Sequence, residues 1–332
     1  MIVKDAYLVS EELLAKDRSH IDRVALRDGF GKGVVRAGEK NPNVMVVCAD
    51  LSESTRALWF KEKFPERFLQ IGVAEQNMAS VASGLAAVGK IPFIASYAMF
   101  SPGRNWEQIR TTVCYNERNV KIAGAHAGIS VGPDGATHQA IEDVAIMRPI
   151  PAMTVIIPAD AIEAEKATYE AANITGPVYI RYAREKTPVV TTEKTPFQIG
   201  RAQVYRDGKD VAIVAAGPLV YEALRAAYML EKEGISARVI NNHTVKPIDE
   251  KTISVAAKEC GAIVTAEEHQ VMGGMGSAVA EVVARTYPVP MEFVGVQDRF
   301  GESGPPDTLM DVFGLRDANI AEAAKKALAR KK

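Results

Sequence analysis

Short apolar runs alternate with polar or helix-like stretches along the first half of the chain. The apolar, β-branched run at 44–49 predicts a buried strand. Further strands are predicted at 91–96, 120–125, 153–158 and 177–183. Helices are predicted from the polar break at 50–54 to about Phe64, over the Ala-rich stretch 75–88, over the amphipathic stretch 105–116, and after Asp160 as an N-cap.

The same alternation returns in the second half, after a segment of different composition. Residues 185–200 are rich in Pro, Thr and charged side chains, which is typical of a linker between domains. Strands are then predicted at 211–217, 236–241, 261–266 and 289–296, and helices from Pro218 to about Gly234, over 276–286 and from Asp317 onward.

Strand–helix alternation in both halves predicts an α/β protein with two doubly wound domains and mostly parallel sheets. The length of 332 residues agrees with two domains of about 150 residues each. In parallel sheets of this kind, ligands bind outside the carboxyl ends of the strands. We therefore expect the functional residues in the loops that follow the predicted strands.

Composition narrows the class of protein. The chain has 40 Lys and Arg against 41 Asp and Glu, which argues against a dedicated nucleic-acid-binding protein. No uncharged apolar run reaches the roughly 18 residues that a membrane span needs, and the first residues lack a signal-peptide core. Three cysteines without a CxxC pattern exclude a disulfide framework or a zinc module. These features favour a cytoplasmic protein.

Two segments in the first half carry candidate chemistry. Glu75 opens the predicted helix 75–88, which is otherwise nearly free of charge. Its carboxylate either interacts with the helix dipole or lies in apolar surroundings that raise its proton affinity. Tyr97 and Phe100 follow the strand at 91–96. They either pack in the core or form a stacking platform for a flat heterocycle.

A Gly-rich loop after the strand at 120–125 carries His126, Asp134 and His138. Such a loop is either an ordinary tight turn or a close approach to a ligand. Histidine can donate, accept or transfer a proton near neutral pH. Aspartate can accept a hydrogen bond from a substrate hydroxyl.

Two arginines near the end of the strand predicted at 177–183 have either a structural or a ligand-binding role. Arg181 and Arg184 suit bidentate contacts to phosphate, but they equally suit surface salt bridges. Arg27 and Ser54 pose the same question.

The Gly-rich segment 273–277 allows either an anion-binding nest at a helix start or close packing of helix on strand. The chain lacks a P-loop, a GxGxxG fingerprint, a GxSxG elbow and an HExxH motif.

In combination these segments resemble transketolase. The matching motifs occur in the family order and at near-family spacing: GVAEQNM (72–78), SYAMF (96–100), DGATHQAIEDVA (134–145), HTVKPID (243–249) and AEEHQVMGGMGSAVAEVV (266–283). The resemblance spans nearly the whole chain and covers two domains of the family. It implies an amino-terminal extension at 1–20, a pyrimidine-binding domain at 21–187, a linker at 188–200 and a transketolase carboxyl-terminal domain at 201–332.

The chain lacks the Gly-Asp-Gly … Asn motif with which the family binds the metal that holds the diphosphate of thiamine diphosphate. The resemblance is therefore to the carboxyl-terminal subunit of a split transketolase. It implies a separate N-terminal subunit that carries the diphosphate site and Mg²⁺ or Ca²⁺, with no metal ligand on this chain. It also implies a heterotetramer with two copies of each chain, sugar-phosphate substrates, and neither nucleic-acid nor membrane partners.

The resemblance assigns roles residue by residue. It implies that Glu75 hydrogen-bonds the aminopyrimidine ring and, with His138 near the reacting carbons, acts in catalysis. The implied cofactor-binding positions are Glu75, Tyr97, Phe100 and His138. The position implied to bind the C2 hydroxyl of the donor is Asp134. The positions implied to bind the sugar phosphate are Arg27, Ser54, His126 and Arg184. Arg181 is the weaker candidate at its strand. The loop at 101–104 is one residue longer than the family loop, which leaves the place of Arg104 open.

The implied reaction is transfer of a two-carbon ketol unit from a ketose phosphate to an aldose phosphate, by default in the pentose phosphate pathway, with other ketose phosphates or sulfonated sugars as alternatives. The β subunit of a 2-oxo-acid dehydrogenase has a similar size and domain order, and it is ranked lower. Deoxyxylulose-phosphate synthase is a nearer relative but is normally one chain. A non-catalytic binding homologue is the remaining alternative.

Overall fold

Two large sheets flanked by helices form the framework of the protein. The computed structural model describes Leu8 and residues 18–331. The strands are β1 (Arg23–Ala25), β2 (Val44–Cys48), β3 (Phe68–Gln70), β4 (Ile91–Tyr97), β5 (Lys121–Ala125), β6 (Thr154–Ile156), β7 (Val178–Arg181), β8 (Lys186–Pro188), β9 (Gln203–Arg206), β10 (Val211–Ala215), β11 (Ala237–Asn241), β12 (Thr244–Lys246), β13 (Ile263–Gln270) and β14 (Met291–Val296).

Helices connect these strands and cover both sheets. They are α1 (Leu26–Lys40), α2 (Ser52–Thr55), α3 (Ala57–Lys63), α4 (Glu75–Ala87), α5 (Trp106–Gln108), α6 (Asp143–Met147), α7 (Ala161–Asn173), α8 (Leu219–Lys232), α9 (Glu250–Cys260), α10 (Met275–Thr286), α11 (Pro306–Val312) and α12 (Asp317–Ala329). Short 3₁₀ turns lie at Arg18–His20, Pro65–Arg67 and Ile129–Asp134. None of the described helices is long and apolar enough to cross a bilayer.

The first sheet brings the predicted functional loops together. Its strand order is β12-β6-β7-β5-β4-β2-β3, and all its pairings are parallel except that of β12 with β6. Strands β4, β5 and β7 are neighbours, so the loops that follow them open at one edge. Tyr97, the last residue of β4, pairs with Ala125, the last residue of β5. The loop that begins at His126 therefore starts beside Tyr97.

The second sheet has the order β14-β13-β10-β11-β9, parallel except for the β11–β9 pair. The predicted α/β class with mostly parallel sheets is confirmed. Strand β12 comes from the second half of the chain but pairs with β6 of the first sheet. The predicted linker 188–200 begins at the last residue of β8 and ends before β9. The bounds of the four predicted segments remain a prediction, and most of the extension at 1–20 lies outside the described residues.

Helix α1 packs closely on α7 through two glycines. A Cβ atom on Gly29 would lie 2.1 Å from the Ala161 carbonyl oxygen, and one on Gly33 would lie 2.6 Å from that of Glu165. The backbones therefore meet at a distance that no larger side chain permits. This contact fixes α1, which carries Arg27 in its first turn, against α7. Helix α1 is not among the elements predicted from the sequence.

The strand and helix predictions agree with the structure except at several ends. The helix predicted over 105–116 is α5 followed by a π-helical stretch at Ile109–Cys114. Strand β6 is shorter than the predicted 153–158. Asp160 is the predicted N-cap, and its side chain accepts a hydrogen bond from the Glu163 amide at 2.9 Å.

Candidate functional site

Glu75 is the first residue of α4, and its side chain is almost completely buried at 2% exposure. Its carbonyl oxygen accepts a hydrogen bond from Asn105 Nδ2 at 3.0 Å. Its Oε2 accepts one from Arg104 Nη1 at 2.7 Å, and its Oε1 lies 3.5 Å from Ser96 Oγ. The apolar surroundings expected from the sequence are thus interrupted by three polar neighbours. Among them, only Arg104 is charged.

Rings from two neighbouring loops form a cluster that Arg104 connects to Glu75. Tyr97 and His126 stack with centroids 3.9 Å apart, and Tyr97 and Phe100 are nearly parallel at 5.9 Å. His138 meets the Phe100 ring edge-on at 5.4 Å. Tyr97 and Phe100 are only partly buried, so they are not core residues. Their arrangement supports the stacking-platform hypothesis over simple packing.

A cluster of cationic and polar side chains lies next to the rings. Arg27 Nη1 donates to the Ser54 carbonyl oxygen at 3.0 Å and lies 3.5 Å from His126 Nε2. Arg184 Nη1 donates to the Val131 carbonyl oxygen at 2.8 Å. Arg27 and Arg184 line one cavity of about 530 Å³. Its other charged lining residues include both signs: Arg23, Lys186 and Arg316, and the acids Glu185, Glu222, Glu268 and Asp307. The part of the cavity between Arg27 and Arg184 is therefore the part suited to a phosphate-sized anion.

Asp134 stands at the edge of this cluster. Its Oδ1 lies 3.8 Å from Arg184 Nη1, and its side chain is partly exposed. The residue ends the 3₁₀ turn at Ile129–Asp134 in the Gly-rich loop. Its carboxylate is therefore beside the proposed phosphate-binding side chains while still open to solvent.

His126 is a neutral member of a cationic cluster. Burial, together with the charges of Arg27 and Arg184, lowers its pKa to about 3. Its backbone is left-handed at φ 56°, and its Nδ1 is buried with no hydrogen-bond partner. A neutral imidazole in this place presents an unpaired polar nitrogen without adding to the repulsion between the arginines. That combination suits contact with a bound anion.

The structure distinguishes the two arginines of the Arg-Tyr-Ala-Arg segment. Arg181 is buried, and its Nε donates to Asp143 Oδ2 at 2.8 Å. Its Nη2 donates to the carbonyl oxygens of Ala140 at 3.0 Å and Glu268 at 2.8 Å. The donors of Arg181 are therefore used inside the protein. Arg184, three residues further on, is the one that lines the cavity.

The Gly-rich segment 273–277 forms an anion-binding helix start, but its anion is a side chain of the same protein. The Met275 and Gly276 amides donate to the two carboxylate oxygens of Glu267 at 2.7 and 2.8 Å. Burial raises the pKa of Glu267, and His269 lies 4.0 Å from this carboxylate. Sequence reasoning missed this cluster, although the helix start itself was recognised.

Taken together, the structure places all nine residues named from the sequence at one end of the first sheet. They form a chain of contacts or line its cavity: Glu75, Tyr97, Phe100, His126, His138, Arg27, Ser54, Asp134 and Arg184. Sequence reasoning missed Ser96 and Asn105, which precede Tyr97 and follow Arg104. Their neighbours were the only signal. Within the described residues, no group of three or more His, Cys, Asp or Glu is arranged to hold a metal ion.

Two family models match the chain. The model described as the transketolase pyrimidine-binding domain matches residues 22–190, and the model for the transketolase C-terminal domain matches residues 200–320. A protein of Methanocaldococcus jannaschii described as a transketolase C-terminal section is 45% identical over 300 residues, with 90% of this chain and 94% of that protein covered.

Two further relatives show how much of a transketolase the chain represents. A 6-deoxy-6-sulfo-D-fructose transketolase subunit of a Clostridium species is 42% identical, with 92% of this chain and 95% of that protein covered. Human transketolase is 35% identical, and the match covers 92% of this chain but 49% of the human protein. The chain thus spans about half the length of that single-chain enzyme.

Solved structures give the same assignment. A structure titled as a split gene transketolase, inactive β4 tetramer, superposes with a TM-score of 0.88 at 49% identity, with 93% of this chain and all of that chain covered. A transketolase from Leishmania mexicana superposes with a TM-score of 0.77 at 25% identity, covering 93% of this chain and 46% of that one. The predicted resemblance is confirmed, and the chain belongs to the transketolase family.

Proposed function

We propose that this chain is the carboxyl-terminal subunit of a split transketolase that depends on thiamine diphosphate. It would transfer a two-carbon ketol unit from a ketose phosphate to an aldose phosphate. One observation carries the proposal: a buried carboxylate, a platform of rings and two guanidinium groups that line a cavity meet at one end of the first sheet. These are the three parts needed for a flat heterocycle bound beside a phosphorylated sugar.

The residues on the cofactor side fit the pyrimidine half of thiamine diphosphate. Glu75 supplies a fixed carboxylate for a ring nitrogen, and Tyr97 and Phe100 supply aromatic faces for the ring. When bound, thiamine diphosphate supplies the electron sink for breaking and re-forming the carbon–carbon bond. Glu75 would hold a proton at the ring nitrogen, which is a general acid–base role. His138, edge-on to Phe100, would face the reacting carbons.

The residues on the substrate side divide between the phosphate and the sugar. Arg27, His126 and Arg184 would bind the phosphate, with Ser54 beside them. Asp134, at the edge of the cluster, would accept a hydrogen bond from the C2 hydroxyl of the donor. Because His126 is neutral before the anion binds, the negative charge of a phosphate would raise its pKa from about 3.

The site would be completed by a separate N-terminal subunit that binds the diphosphate and Mg²⁺ or Ca²⁺. The relatives described as a transketolase C-terminal section and as transketolase subunits have nearly the length of this chain, which supports a split enzyme. One related structure is titled as an inactive β4 tetramer. We propose that the present chain alone is also inactive, because it lacks the diphosphate site, and that the active form contains two copies of each subunit in the cytoplasm.

Two outcomes of one experiment test this function. The tagged chain is purified from its native host together with its N-terminal subunit, and transfer from xylulose 5-phosphate to ribose 5-phosphate is assayed with and without thiamine diphosphate and Mg²⁺. Transfer that requires the cofactor and both subunits supports the proposal. Cofactor-dependent decarboxylation of a 2-oxo acid without ketol transfer, or no cofactor-dependent reaction at all, overturns it.

The substrate class is tested in the same assay. Relatives are named for 6-deoxy-6-sulfo-D-fructose and for apulose 4-phosphate, so both compounds are compared with xylulose 5-phosphate as donors. The donor with the highest kcat/KM identifies the substrate. We expect a phosphorylated donor, because two guanidinium groups line the cavity and a phosphate monoester carries about two negative charges at neutral pH, against one for a sulfonate. A preference of tenfold or more for the sulfonated donor contradicts that expectation.

A further inference from the structure

Arg104 makes both contacts that the proposed cofactor ring would need. Its Nη1 donates to Glu75 Oε2 at 2.7 Å, and its guanidinium carbon lies 4.6 Å from the centroid of the Phe100 ring. A guanidinium is flat, offers N–H donors in its plane and stacks on aromatic faces. An aminopyrimidine ring shares these properties. The two groups would therefore use the same carboxylate oxygen and the same aromatic ring.

We propose that Arg104 occupies the ring-binding part of the site in the cofactor-free chain and that the cofactor binds by displacing it. This inference rests on the proposed function, because it takes the displacing ligand to be the aminopyrimidine of thiamine diphosphate. It assigns Arg104 a role in cofactor affinity.

The mobility needed for displacement belongs to the side chain. The Arg104 side chain is 48% exposed, whereas that of Glu75 is 2% exposed. The loop backbone is held: the Arg104 amide donates to the Phe100 carbonyl oxygen at 3.0 Å, and Asn105 Nδ2 bonds both Glu75 and Ser101. Arg104 can therefore rotate into solvent while the carboxylate and the loop stay in place.

The pairing has a physical reason. A buried carboxylate without a partner destabilises the folded protein, and Arg104 supplies the only charged partner of Glu75 among the described residues. The same contact competes with the ligand. The observed dissociation constant equals the intrinsic one divided by the fraction of time that the site is open. Arg104 thus stabilises the buried Glu75 carboxylate before the cofactor binds, and it weakens cofactor binding by competing for that carboxylate.

The test measures binding rather than activity. Thiamine diphosphate with Mg²⁺ is titrated by calorimetry into the complex of this chain with its N-terminal subunit, for wild type and Arg104→Met. We expect the dissociation constant of the Arg104→Met complex to fall by about threefold or more, since the competitor is gone. Arg110→Met, at an exposed position six residues further along the chain, is the matched control and should leave this dissociation constant unchanged.

A double-mutant comparison shows whether the effect passes through Glu75. If Arg104 competes for that carboxylate, Arg104→Met should have a smaller effect on the dissociation constant in a Glu75→Gln background. Arg104→Lys keeps the charge without the flat group and should lie between Arg104→Met and wild type. It also serves as the variant to measure if Arg104→Met fails to fold.

The outcomes separate the two proposals. Unchanged or weaker thiamine diphosphate binding in both Arg104 variants overturns the displacement role alone, because wild-type binding still supports the proposed function. Absence of thiamine diphosphate binding in every complex, wild type included, overturns the proposed function and this inference with it. Tighter binding in Arg104→Met but not in Arg110→Met supports both.

Discussion

At the scale of single residues, the buried charges of this chain differ in what satisfies them. Glu75 is paired with a half-exposed side chain, whereas Arg181 is paired with Asp143 and two carbonyl oxygens inside the protein. Because the partner of Glu75 can move into solvent, the Glu75 carboxylate can bind a ligand in its place. The partners of Arg181 are inside the protein, so Arg181 stabilises the fold instead.

Glu75→Gln tests the catalytic assignment directly. The amide keeps the shape of the side chain but cannot exchange a proton, so we expect turnover of the assembled enzyme to fall by at least a hundredfold, in line with the about 10²–10⁴-fold contribution of general acid–base groups. Glu62→Gln, at an exposed position, is the control. Circular dichroism checks that both variants fold. Turnover of Glu75→Gln within tenfold of wild type would show the assignment to be wrong.

The arginines Arg181 and Arg184 give opposite expectations. Arg181→Met leaves Asp143 buried without its charged partner, with only the Tyr179 hydroxyl among the described residues still donating to it, so the free energy of unfolding should fall by about 3–5 kcal/mol. Arg184→Met removes a proposed phosphate contact worth about 1.5–3 kcal/mol, so KM for a phosphorylated donor should rise about 10- to 100-fold with little loss of stability. Urea unfolding and steady-state kinetics measure the two effects. An unchanged KM for Arg184→Met argues against its phosphate role.

His243 predicts how stability depends on pH. It is fully buried against Phe197, and burial lowers its pKa to about 3 from an ordinary value of 6.5. Below pH 6.5 the unfolded chain binds a proton that the folded chain does not, so the free energy of unfolding falls as pH falls, by up to about 1.4 kcal/mol per pH unit. The stabilisation is complete above pH 6.5.

Removing this titration should flatten the acid side of the curve. Wild type and His243→Asn are unfolded with urea at pH 7.0, 6.0 and 5.0, and the differences between pH values are compared. The decrease from pH 7.0 to 5.0 should be smaller in the variant, whatever its stability at pH 7.0. Parallel curves for the two proteins would contradict the prediction.

At the scale of elements, strands were easier to predict than helices. Interior strands of both sheets, such as β2 and β10, are fully buried apolar runs, and the sequence pattern finds such runs directly. Helix α1 was missed because its glycines, including Gly29 and Gly33, disfavour a helix in isolation. Contact with α7 stabilises it in the folded chain. Short edge strands such as β3 and β12 also escaped prediction.

Two glycine substitutions test this explanation. Gly33→Ala would place a methyl group 2.6 Å from the Glu165 carbonyl oxygen, so the free energy of unfolding should fall by about 1–3 kcal/mol. Gly84→Ala in α4 meets nothing within 4 Å and should instead stabilise the chain by about 0.5–1 kcal/mol, since alanine favours the helix. Chemical denaturation of both variants measures the difference. Equal effects would mean that close packing does not explain α1.

At the scale of the whole molecule, the site lies at an edge where the chain alone leaves half-exposed rings and an exposed loop. We expect mixing with the N-terminal subunit, thiamine diphosphate and Mg²⁺ to give an assembly with two copies of each chain, and to raise the Tm, because ligands that bind only the folded state stabilise it. Native mass spectrometry and calorimetry measure both. An active complex with one copy of each chain would contradict the stoichiometry.

The sequence by itself determined the α/β class, most central strands, the family and the residues that meet at the site. These features depend on the periodicity of apolar residues and on short motifs, and both are set by residues close together in the sequence. Only the tertiary structure decided which arginine faces the cavity, that Glu267 occupies the Gly-rich helix start, and that Arg104 lies on Phe100 and Glu75. Those choices depend on contacts between segments far apart in the chain, whose distances no local pattern records.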